Sequence, residues 1–460
     1  MSVKTAPRTL VLLKNPRPRG NVHDHSILIE NCKIWTGRNI RQGSILIQKG
    51  KISRIARRIS NPPDERVRAR GMLALPGLVD VHVHLRDMDL AYKEDFTTGT
   101  AAAAAGGFTT VLDMPNTQPP TDSADRLNEK MERARNRVLV DVGFHVAAVP
   151  DERQIGNMVA AGAFSLKLYL PSPISPLAVE SDRVLARIIR AAARHRLPLT
   201  VHAEDGKVIE TAAESRIRSF AELAKLRPPR AETSAILRML KLLKQASCPV
   251  HFCHITLSSS LTRIWKSGIK SLSSEVTPHH LLLSDKSLVK KKWKAWMVPP
   301  LRPDANRKSL LAATARGLAN VIASDHAPHT IQEKTRSPTD SPPGIPGLET
   351  TLPLILTLAN KGIIPLSKII DLLSTGPARL FGLTSKGRLE EGLNGDVVLV
   401  DLKRKARINP ETFLTKAKFS PFEGIQTQGA VRTTIVGGRI IYNDGEIVAK
   451  PGNGRVLRRR

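Results

Sequence analysis

The middle of the chain alternates short apolar, β-like segments with longer helical segments. Eight β-like segments follow one another: GLVDVHVHL, FTTVLDM, DVGFHVAAV, AFSLKLYL, LPLTVHA, PVHFCHI, KSLSSEVT and NVIASDHA. Helix-forming stretches such as TTGTAAAAA and SDRVLARIIRAAARHR separate most of them. This alternation predicts βα units and a parallel sheet. Eight units over roughly 300 residues favour an α/β fold of the (β/α)8 TIM-barrel type across residues 74–385, with an open doubly wound sheet as the alternative.

A small β-sandwich domain built from both chain ends is predicted beside the barrel. Short alternating runs (SILIENCKIW, SILIQKGKISRIA) lie between Ser26 and Ser60, and similar runs (GDVVLVDL, VRTTIVGGRIIY) return near the C-terminus. The sequence Asn443-Asp444-Gly445 is a hairpin-turn signal. We expect residues 23–73 and 386–453 to form one composite β domain.

Both chain ends carry basic segments. Residues 1–22 contain Lys and Arg but no acidic residue. We expect this segment to be a disordered basic tail, with a targeting peptide as the alternative. The terminal RVLRRR, within residues 454–460, predicts a second untethered basic tail.

Composition indicates a soluble globular protein without disulfides. Hydrophobic residues make up 41% of the chain and charged residues 24%. No apolar run is long enough to predict a membrane span. The three cysteines, Cys32, Cys248 and Cys253, are odd in number and form no C-x-x-C motif, which favours a reducing compartment and a cytoplasmic location.

The formal net charge of +30 favours anionic partners, whether acidic protein surfaces or small carboxylates. The lysine-rich segment 290–294, with Trp293 and Trp296 nearby, raises the alternative of nucleic-acid binding by base stacking. No known nucleic-acid-binding motif accompanies it, so we expect a solvated loop whose tryptophans turn inward.

Reactive side chains collect near the C-terminal ends of the predicted strands, where a barrel of this type places its active site. They are His82 and His84 on the first strand, Lys167 on the fourth, His202 on the fifth, His254 on the sixth and Asp325 on the eighth. Residues two apart on a strand face the same side, so His82 and His84 are predicted to share one site, with Arg86 next on that face. Imidazoles and a carboxylate suit a cation such as zinc.

Each of these residues has an ordinary explanation when taken alone. An H-x-H pair is usually coincidental, and a strand-end histidine such as His145 usually satisfies its hydrogen bonds in the core. Lys167 can extend its ammonium towards solvent, although a buried ammonium is costly unless it is paired or modified. The joint pattern of four histidines, one lysine and one aspartate at matching positions is what predicts a metal site.

The chain resembles the amidohydrolase superfamily and, within it, the dihydroorotases. The matching motifs are DVHVHLR (80–86), KEDFTTGTAAAAAGGFTTVLDMPNT (93–117), LKLYL (166–170), VHAE (201–204), FCHIT (252–256), EVTPHH (275–280), PPLR (299–302), ASDHAPHT (323–330), PPGIPGLET (342–350) and PFEG (421–424). They run in family order along nearly the whole chain. The KLYL, PGLET and PFEG segments are similar to the dihydroorotase domain of the animal multifunctional pyrimidine-synthesis protein.

The resemblance implies a centre of two Zn²⁺ ions per chain. His82, His84 and Asp325 would hold one ion, and His202 and His254 the other. Lys167, carboxylated on its amine, would bridge the ions together with a hydroxide. A carbamate is an anionic oxygen ligand, whereas an ammonium has no lone pair to offer a metal.

The resemblance also implies the reaction, a reversible cyclisation of N-carbamoyl-L-aspartate to L-dihydroorotate in pyrimidine biosynthesis. Arg86, Asn116 and His329 would bind the substrate carboxylate, for which the arginine fork is well suited. Asp325 would act as general base and then as general acid.

The chain departs from the family pattern in three segments. Met88 and Asp89 stand where relatives usually have Pro-Gly after HLR and one further residue, which predicts a more flexible and more acidic loop at Asp87–Asp89. Val298 stands where many relatives have Asn before PPLR. Pro173 lies near the place of a lid threonine in the animal enzyme, which leaves the behaviour of the loop after Lys167 open. The PPGIPG stretch at 342–347 is expected to be a substrate-covering loop.

Two alternative functions remain at this point. Dihydropyrimidinases, hydantoinases and allantoinases share the barrel and the metal site, but their substrates do not need the carboxylate grip of Arg86 and Asn116. An inactive homologue that scaffolds aspartate transcarbamoylase is the other alternative, although every expected metal ligand is present. A homodimer and a transcarbamoylase partner are left open, whereas nucleic acid and membrane partners are not favoured.

Overall fold

The computed structural model describes residues 12–14, 25–170, 178–179, 181–209, 217–244, 246 and 248–459. The loop after Lys167 that contains Pro173, whose behaviour the sequence leaves open, lies outside these residues, as does most of the predicted N-terminal tail. Within that tail, Leu12–Lys14 is a strand that pairs antiparallel with residues 65–67, so this part of the expected disordered segment is instead ordered backbone.

The N-terminal part of the small domain contains six strands. They are β1 (Leu12–Lys14), β2 (Ser26–Trp35), β3 (Ile40–Gln48), β4 (Lys51–Ala56), β5 (Glu65–Arg68) and β6 (Leu73–Pro76).

The central part alternates strands with helices as the sequence predicts. Its strands are β7 (Leu78–Val83), β8 (Phe108–Asp113), β9 (Asp141–Phe144), β10 (Val146–Ala147), β11 (Leu166–Tyr169), β12 (Leu199–His202), β13 (Val250–Phe252), β14 (Leu272–Val276) and β15 (Val321–Ile322). Its helices are α1 (Phe96–Ala105), α2 (Ala124–Ala134), α3 (Glu152–Ala160), α4 (Asp182–Arg194), α5 (Phe220–Lys225), α6 (Pro229–Leu243), α7 (Ser258–Lys266), α8 (Pro278–Leu282), α9 (Asp285–Lys291), α10 (Asp304–Ala315), α11 (Ile331–Lys334), α12 (Leu348–Asn360), α13 (Leu366–Ile370) and α14 (Gly376–Leu380). Short 3-10 turns occur at Met88–Leu90 and Lys292–Ala295, and a π-helical turn at Asp371–Thr375 joins α13 to α14.

The chain then returns to the small domain through β16 (Val397–Arg407), β17 (Gln426–Val436), β18 (Arg439–Asn443) and β19 (Glu446–Ile447), with a 3-10 turn at Pro410–Thr412. Strands from both ends join one sheet, ordered β1-β5-β2-β6-β16-β17-β18-β19, with β3 paired to β2 and β4. The predicted hairpin turn is confirmed, because β18 and β19 pair around Asp444 and Gly445, which both have positive φ.

Parallel pairing dominates the central strands. Strands β7-β8-β9 form one parallel sheet and β10-β11-β12-β13-β14-β15 another, and each of the eight predicted segments contains a strand. The residues of β8 are all buried, as expected for a parallel strand covered on both faces. A parallel bridge pairs Val83 of β7 with His326, four residues beyond β15.

Asp80 ties the first central strand to the last. Its two carboxylate oxygens accept hydrogen bonds from the backbone amides of His82 and Ser324, both at 3.0 Å. Burial raises the pKa of Asp80 to about 7. The segments that carry His82 and Asp325 are therefore held side by side by one buried side chain.

The C-terminal arm corrects the expectation of an untethered tail. Val456 forms a parallel bridge with Val142, and the Leu457 amide donates to the Val142 carbonyl at 2.7 Å. Arg455 pairs with Asp141 at 2.8 Å. The physical reason is that, within the described residues, β8 is the one strand that pairs with β9, and the arm satisfies the backbone groups of Val142 on the other edge of β9.

The lysine-rich segment before residue 300 turns its tryptophans inward as predicted, but it is helical and not the expected loop. Helix α9 runs to Lys291, and a 3-10 turn covers Lys292–Ala295. Trp296 is buried and donates from its indole nitrogen to the Ser341 carbonyl, while the half-buried Trp293 packs edge-on against Phe419. Both rings pack against apolar neighbours, which favours a structural role over base stacking. No helix in the described ranges is long and apolar enough to cross a membrane.

We expect Lys386→Met to destabilise the fold strongly. Lys386 is buried and its ammonium lies 2.8 Å from Asp141 and 2.5 Å from Asp396. The substitution therefore removes the cation that these two buried carboxylates share. A loss of about 3–5 kcal/mol in the free energy of unfolding follows, measured by urea denaturation. The matched control is Arg388→Met, which removes an exposed ion pair with Glu390 and should cost less than about 1 kcal/mol. An equal loss in the free energy of unfolding for both variants would contradict a stabilising role of the buried Lys386 ion pairs.

Candidate active site

All nine residues predicted for metal and substrate binding line one open cavity of about 730 Å³. They are His82, His84, Arg86, Asn116, Lys167, His202, His254, Asp325 and His329. The cavity lies beyond the C-terminal ends of the parallel strands, because β12 ends at His202, β13 ends just before His254 and β15 ends just before Asp325. The sequence therefore located a single site from residues that are up to 247 positions apart.

His82, His84 and Asp325 converge at one side of this cavity. Oδ1 of Asp325 lies 3.4 Å from Nε2 of His82 and 3.3 Å from Nε2 of His84. The other ring nitrogens are occupied, since Nδ1 of His82 donates to Glu275 and Nδ1 of His84 donates to Oδ1 of Asn116 at 2.6 Å. Because Nδ1 carries the hydrogen in both rings, both Nε2 lone pairs are free to bind a cation.

His202 and His254 form a second pair. Nδ1 of His202 lies 3.0 Å from Nε2 of His254. Nε2 of His202 donates to Glu204 at 2.9 Å, and Arg227 binds the same carboxylate oxygen at 2.6 Å. Glu204 therefore fixes the tautomer that leaves Nδ1 of His202 with its lone pair.

Burial keeps these imidazoles neutral. Desolvation lowers the pKa of His82 and His202, and it lowers the pKa of His84 and His254 well below the usual value. Neutral imidazole is the form that binds metal. His145 is different, because both of its ring nitrogens are bonded, to Ser165 at 2.5 Å and to the Val81 carbonyl at 3.0 Å, which confirms the core role expected for it.

Lys167 is almost completely buried among these side chains. Its ammonium lies 3.1 Å from Sγ of Cys253 and 3.5 Å from Nε2 of His82. Among the residues that the structure describes, it has no ion-pairing carboxylate. An unpaired buried ammonium is costly, whereas a carbamate at this place would face imidazoles and bound cations. The donor set of four neutral imidazoles, one carboxylate and one modifiable lysine therefore fits divalent metal ions.

The opposite wall of the cavity is built to receive an anion. Arg86 is 6% exposed, its Nε donates to the Pro328 carbonyl at 3.2 Å, and its Nη2 lies 3.0 Å from Nε2 of His329. In the described part of the chain its guanidinium has no carboxylate partner. The amide nitrogen of Asn116 is available as a second donor, because Oδ1 of this residue is bonded to His84. A buried cation without a counter-ion is a binding position for a ligand carboxylate.

The route by which Arg86 reaches the cavity differs from the expected one. Strand β7 ends at Val83, and Arg86 has a left-handed backbone with φ of 59°. Its side chain is thus placed by an irregular turn and not by continued strand alternation. Arg86 forms no described ion pair with the neighbouring Asp87, whose carboxylate binds Arg133 at 2.7 Å and Arg137 at 2.9 Å.

The loop at Asp87–Asp89 is held in place, which corrects the prediction of a flexible, acidic loop. The Asp87 carboxylate is buried and also accepts from the Phe96 amide at 3.0 Å. The Asp89 amide donates to the Gln118 carbonyl at 2.9 Å. Two arginines neutralise Asp87, so the carboxylate anchors the loop and leaves Asp89 as its exposed charge.

The PPGIPG stretch forms one wall of the cavity through Pro342, Pro343 and Gly344. Gly344 has a φ of 136°, and a Cβ there would lie 2.6 Å from the Ala327 carbonyl oxygen, so no side chain fits. The buried ammonium of Lys334 donates to the carbonyls of Trp296 and Pro342 at 3.0 and 2.9 Å. This part of the wall is therefore fixed to its neighbours.

Sequence reasoning missed several residues that position the site, above all Glu275. Its carboxylate accepts from Nδ1 of His82, from Nε2 of His251 at 2.9 Å and from the His254 amide at 3.1 Å. His82, Cys253 and Glu275 also bring ligand atoms together as a second candidate trio. A charged residue inside the buried strand β14 is the same signal that identified Lys167.

Sequence similarity relates the chain to a known enzyme family. Residues 73–441 match the amidohydrolase family. The chain is 39% identical over 438 residues to a dihydroorotase of Methanothermobacter thermautotrophicus, covering 93% of this chain and 96% of that protein. It is 35% identical over 425 residues to a dihydroorotase of Pyrococcus furiosus, covering 91% and 93% respectively.

Similar solved structures come from a neighbouring group of enzymes. An L-hydantoinase from Arthrobacter aurescens superposes with a TM-score of 0.90 at 29% identity, covering 94% of this chain and 99% of that one. A dihydropyrimidinase from Brevibacillus agri gives a TM-score of 0.88 at 28% identity, covering 94% and 98%. The overall architecture is thus shared with enzymes whose names indicate other ring substrates.

We expect Glu275→Gln to weaken divalent-metal binding by about 10- to 100-fold, because an amide no longer fixes the His82 tautomer through a charged acceptor. Competition with a chromogenic chelator measures the change. Glu423→Gln is the control, since Glu423 forms an exposed ion pair with Lys294 and should leave the affinity unchanged. An unaltered affinity in Glu275→Gln would exclude this positioning role.

Proposed function

Because the chain belongs to the amidohydrolase family, in which curated relatives at 34–39% identity are dihydroorotases, we propose that it interconverts N-carbamoyl-L-aspartate and L-dihydroorotate. It is a hydrolase of cyclic amides. The reaction is the ring-closing step of pyrimidine biosynthesis, and hydrolysis of the ring amide is its reverse.

The observation that carries this proposal is the composition of the cavity. A cluster of neutral imidazoles with Asp325 and Lys167 faces Arg86, a buried guanidinium without a described counter-ion. A cyclic amide that bears a carboxylate matches both walls at once. The proposed scaffold is a closed (β/α)8 barrel with a β-sandwich of residues 23–73 and 386–453, supported by the parallel strand order and the Val83–His326 bridge.

Two Zn²⁺ ions would be held by the cluster. His82, His84 and Asp325 would bind one, His202 and His254 the other, with carboxylated Lys167 as the shared ligand. When bound, such ions polarise the substrate carbonyl and lower the pKa of water, so that a nucleophile is available near neutral pH. The family is metal-dependent, and the convergent ligand atoms of His82, His84 and Asp325 support this assignment.

Arg86, Asn116 and His329 would orient the substrate. The arginine fork binds the carboxylate in two places, and the Asn116 amide adds a neutral donor. Nε2 of His329 donates to the Pro343 carbonyl at 3.1 Å and lies 3.0 Å from Nη2 of Arg86, so the imidazole packs against the guanidinium. Anchoring the carboxylate fixes the ring relative to the imidazole cluster, which is the main contribution of positioning to the rate.

Asp325 would transfer the proton. Its Oδ1 faces the two imidazoles, which leaves the second carboxylate oxygen to take a proton from the attacking water and deliver it to the departing ring nitrogen. Burial raises the pKa of Asp325, which makes the carboxylate a better proton acceptor than an exposed aspartate. In the biosynthetic direction the same oxygen would take the proton from the ureido nitrogen and deliver it to the departing water.

A hydantoinase or dihydropyrimidinase activity is the second candidate, favoured by the similarity of the solved structures. Substrates of that kind lack the carboxylate and would leave Arg86 buried without a counter-ion. That mismatch is why we prefer the carboxylated ring. A homodimer, a transcarbamoylase partner and a cytoplasmic location stay predictions, as does the scaffold alternative.

We expect Lys167→Ala to lose metal and turnover while keeping the fold. Wild-type protein should contain about two zinc ions per chain, and the variant should retain less than half of that metal, because the shared ligand is missing. Elemental analysis and circular dichroism measure the two effects. Lys290→Ala, at an exposed lysine, is the control and should keep its metal. Full metal content in Lys167→Ala would refute the bridging role.

We expect metal-loaded wild-type protein to open L-dihydroorotate in preference to dihydrouracil, hydantoin and allantoin. Arg86→Met should lower kcat/KM for L-dihydroorotate by roughly 100-fold or more, since losing one partner of a buried charge pair costs about 2–5 kcal/mol. Any slow turnover of dihydrouracil should be unaffected. Preference of the wild type for a ring without a carboxylate would overturn the substrate assignment.

A further inference from the structure

Tyr169, the last residue of β11, carries a buried hydroxyl that the proposed reaction does not yet use. The side chain lines the cavity and is 4% exposed. Within the described ranges its Oη has no hydrogen-bond partner. Burying a hydroxyl without a partner costs free energy, so the position is unfavourable unless a partner arrives with the ligand.

The ring of Tyr169 is held firmly against the metal-binding side chains. The ammonium of Lys167 lies 5.3 Å from its centroid, and the ring of His202 lies 6.3 Å away with an interplanar angle of 33°. In the strand register Tyr169 pairs directly with His202. A phenol keeps its proton at neutral pH, so the hydroxyl of Tyr169 can both donate and accept a hydrogen bond.

Tyr169 shares the lining of one cavity with Arg86 of the carboxylate wall and Asp325 of the imidazole cluster. A substrate that reaches both of these groups occupies the cavity that Tyr169 also lines. Met297 and Val298 line it as well, and their apolar side chains offer the substrate ring no hydrogen bond.

We propose that Tyr169 is a substrate-binding residue whose hydroxyl hydrogen-bonds the ureido group of the substrate. This inference rests on the proposed function, because the ureido group is the polar part of N-carbamoyl-L-aspartate that neither Arg86 nor the imidazole cluster accounts for. The group presents N–H donors and a carbonyl acceptor, and a neutral hydroxyl can match either. The carboxylate is left to Arg86, whose five donors suit it better.

The test is Tyr169→Phe in the metal-loaded protein. Since the hydroxyl makes no described internal hydrogen bond, its removal should leave the melting temperature of the ligand-free protein unchanged or slightly higher. Metal content should also be unchanged. The Kd for N-carbamoyl-L-aspartate should rise about 3- to 10-fold, with a similar fall in kcat/KM. The inhibition constant of succinate, which has carboxylates but no ureido group, should not change.

The chain offers a matched control, because Tyr442 of β18 lies in the small domain and outside the cavity lining. Tyr442→Phe should leave ligand binding and turnover as in the wild type. An unchanged Kd in Tyr169→Phe would overturn the proposal. Equal weakening of succinate and N-carbamoyl-L-aspartate would also overturn it, because the hydroxyl would then serve the carboxylate. A lower melting temperature with loss of metal would show a structural role instead.

Failure of the proposed function can be told apart from failure of this inference. If the wild type prefers a different cyclic ureide, the substrate assignment falls, but that ring still contains a ureido group. The comparison of Tyr169→Phe with wild type is then made on the preferred ring, where the same 3- to 10-fold loss supports the role of the hydroxyl and equal kinetics refutes it.

Discussion

The site depends on carboxylates buried behind the histidines. Glu275 on β14 accepts hydrogen bonds from His82 on β7 and from His251 and the His254 amide at the end of β13, so one side chain links three strands. A carboxylate without these donors would be unstable in such surroundings, and the histidines opposite it lower its pKa well below the usual value. The ligand geometry and the packing of the strands are therefore stabilised by the same hydrogen bonds. Glu204 positions His202 in the same way, because its carboxylate accepts a hydrogen bond from Nε2 of that ring.

Electrostatics divide the cavity into two halves. Burial keeps the four imidazoles neutral, so their lone pairs remain available, whereas Arg86 stays charged when buried because a guanidinium does not lose its proton. On the proposed function, a dianionic substrate would be attracted to the wall with Arg86 and would face the metal-binding side chains on the other. The formal net charge of +30 acts in the same direction, since a positive protein raises the local concentration of anions around its clefts.

The sequence allowed the central strands and the site residues to be predicted because both follow from local pattern. Parallel strands appear as short buried runs, and a charged residue at the end of such a run marks the active-site side of the sheet. The residues that were missed act over long sequence separations. Glu275 is 193 positions from His82, and Asp87 is anchored by arginines 46 and 50 positions later. No periodicity in the sequence encodes such pairs. The docking of the C-terminal arm was missed for the same reason, since it depends on an open edge of β9 that only the three-dimensional pairing creates.

The chain is similar in architecture to a hydantoinase and a dihydropyrimidinase, but similar in sequence to dihydroorotases. The residues of the cavity wall are what favour a ring that carries a carboxylate. Strand β7 supplies His82, and His84 follows one residue after its end. Arg86 has a left-handed backbone, and the loop that follows it is anchored. The anchor is the buried carboxylate of Asp87, which binds the partly exposed Arg133 and Arg137 and the Phe96 amide. If Arg86 binds the substrate carboxylate as proposed, the specificity of the site depends on an ion-pair network outside the cavity, and changes in this loop would alter which ring the scaffold binds.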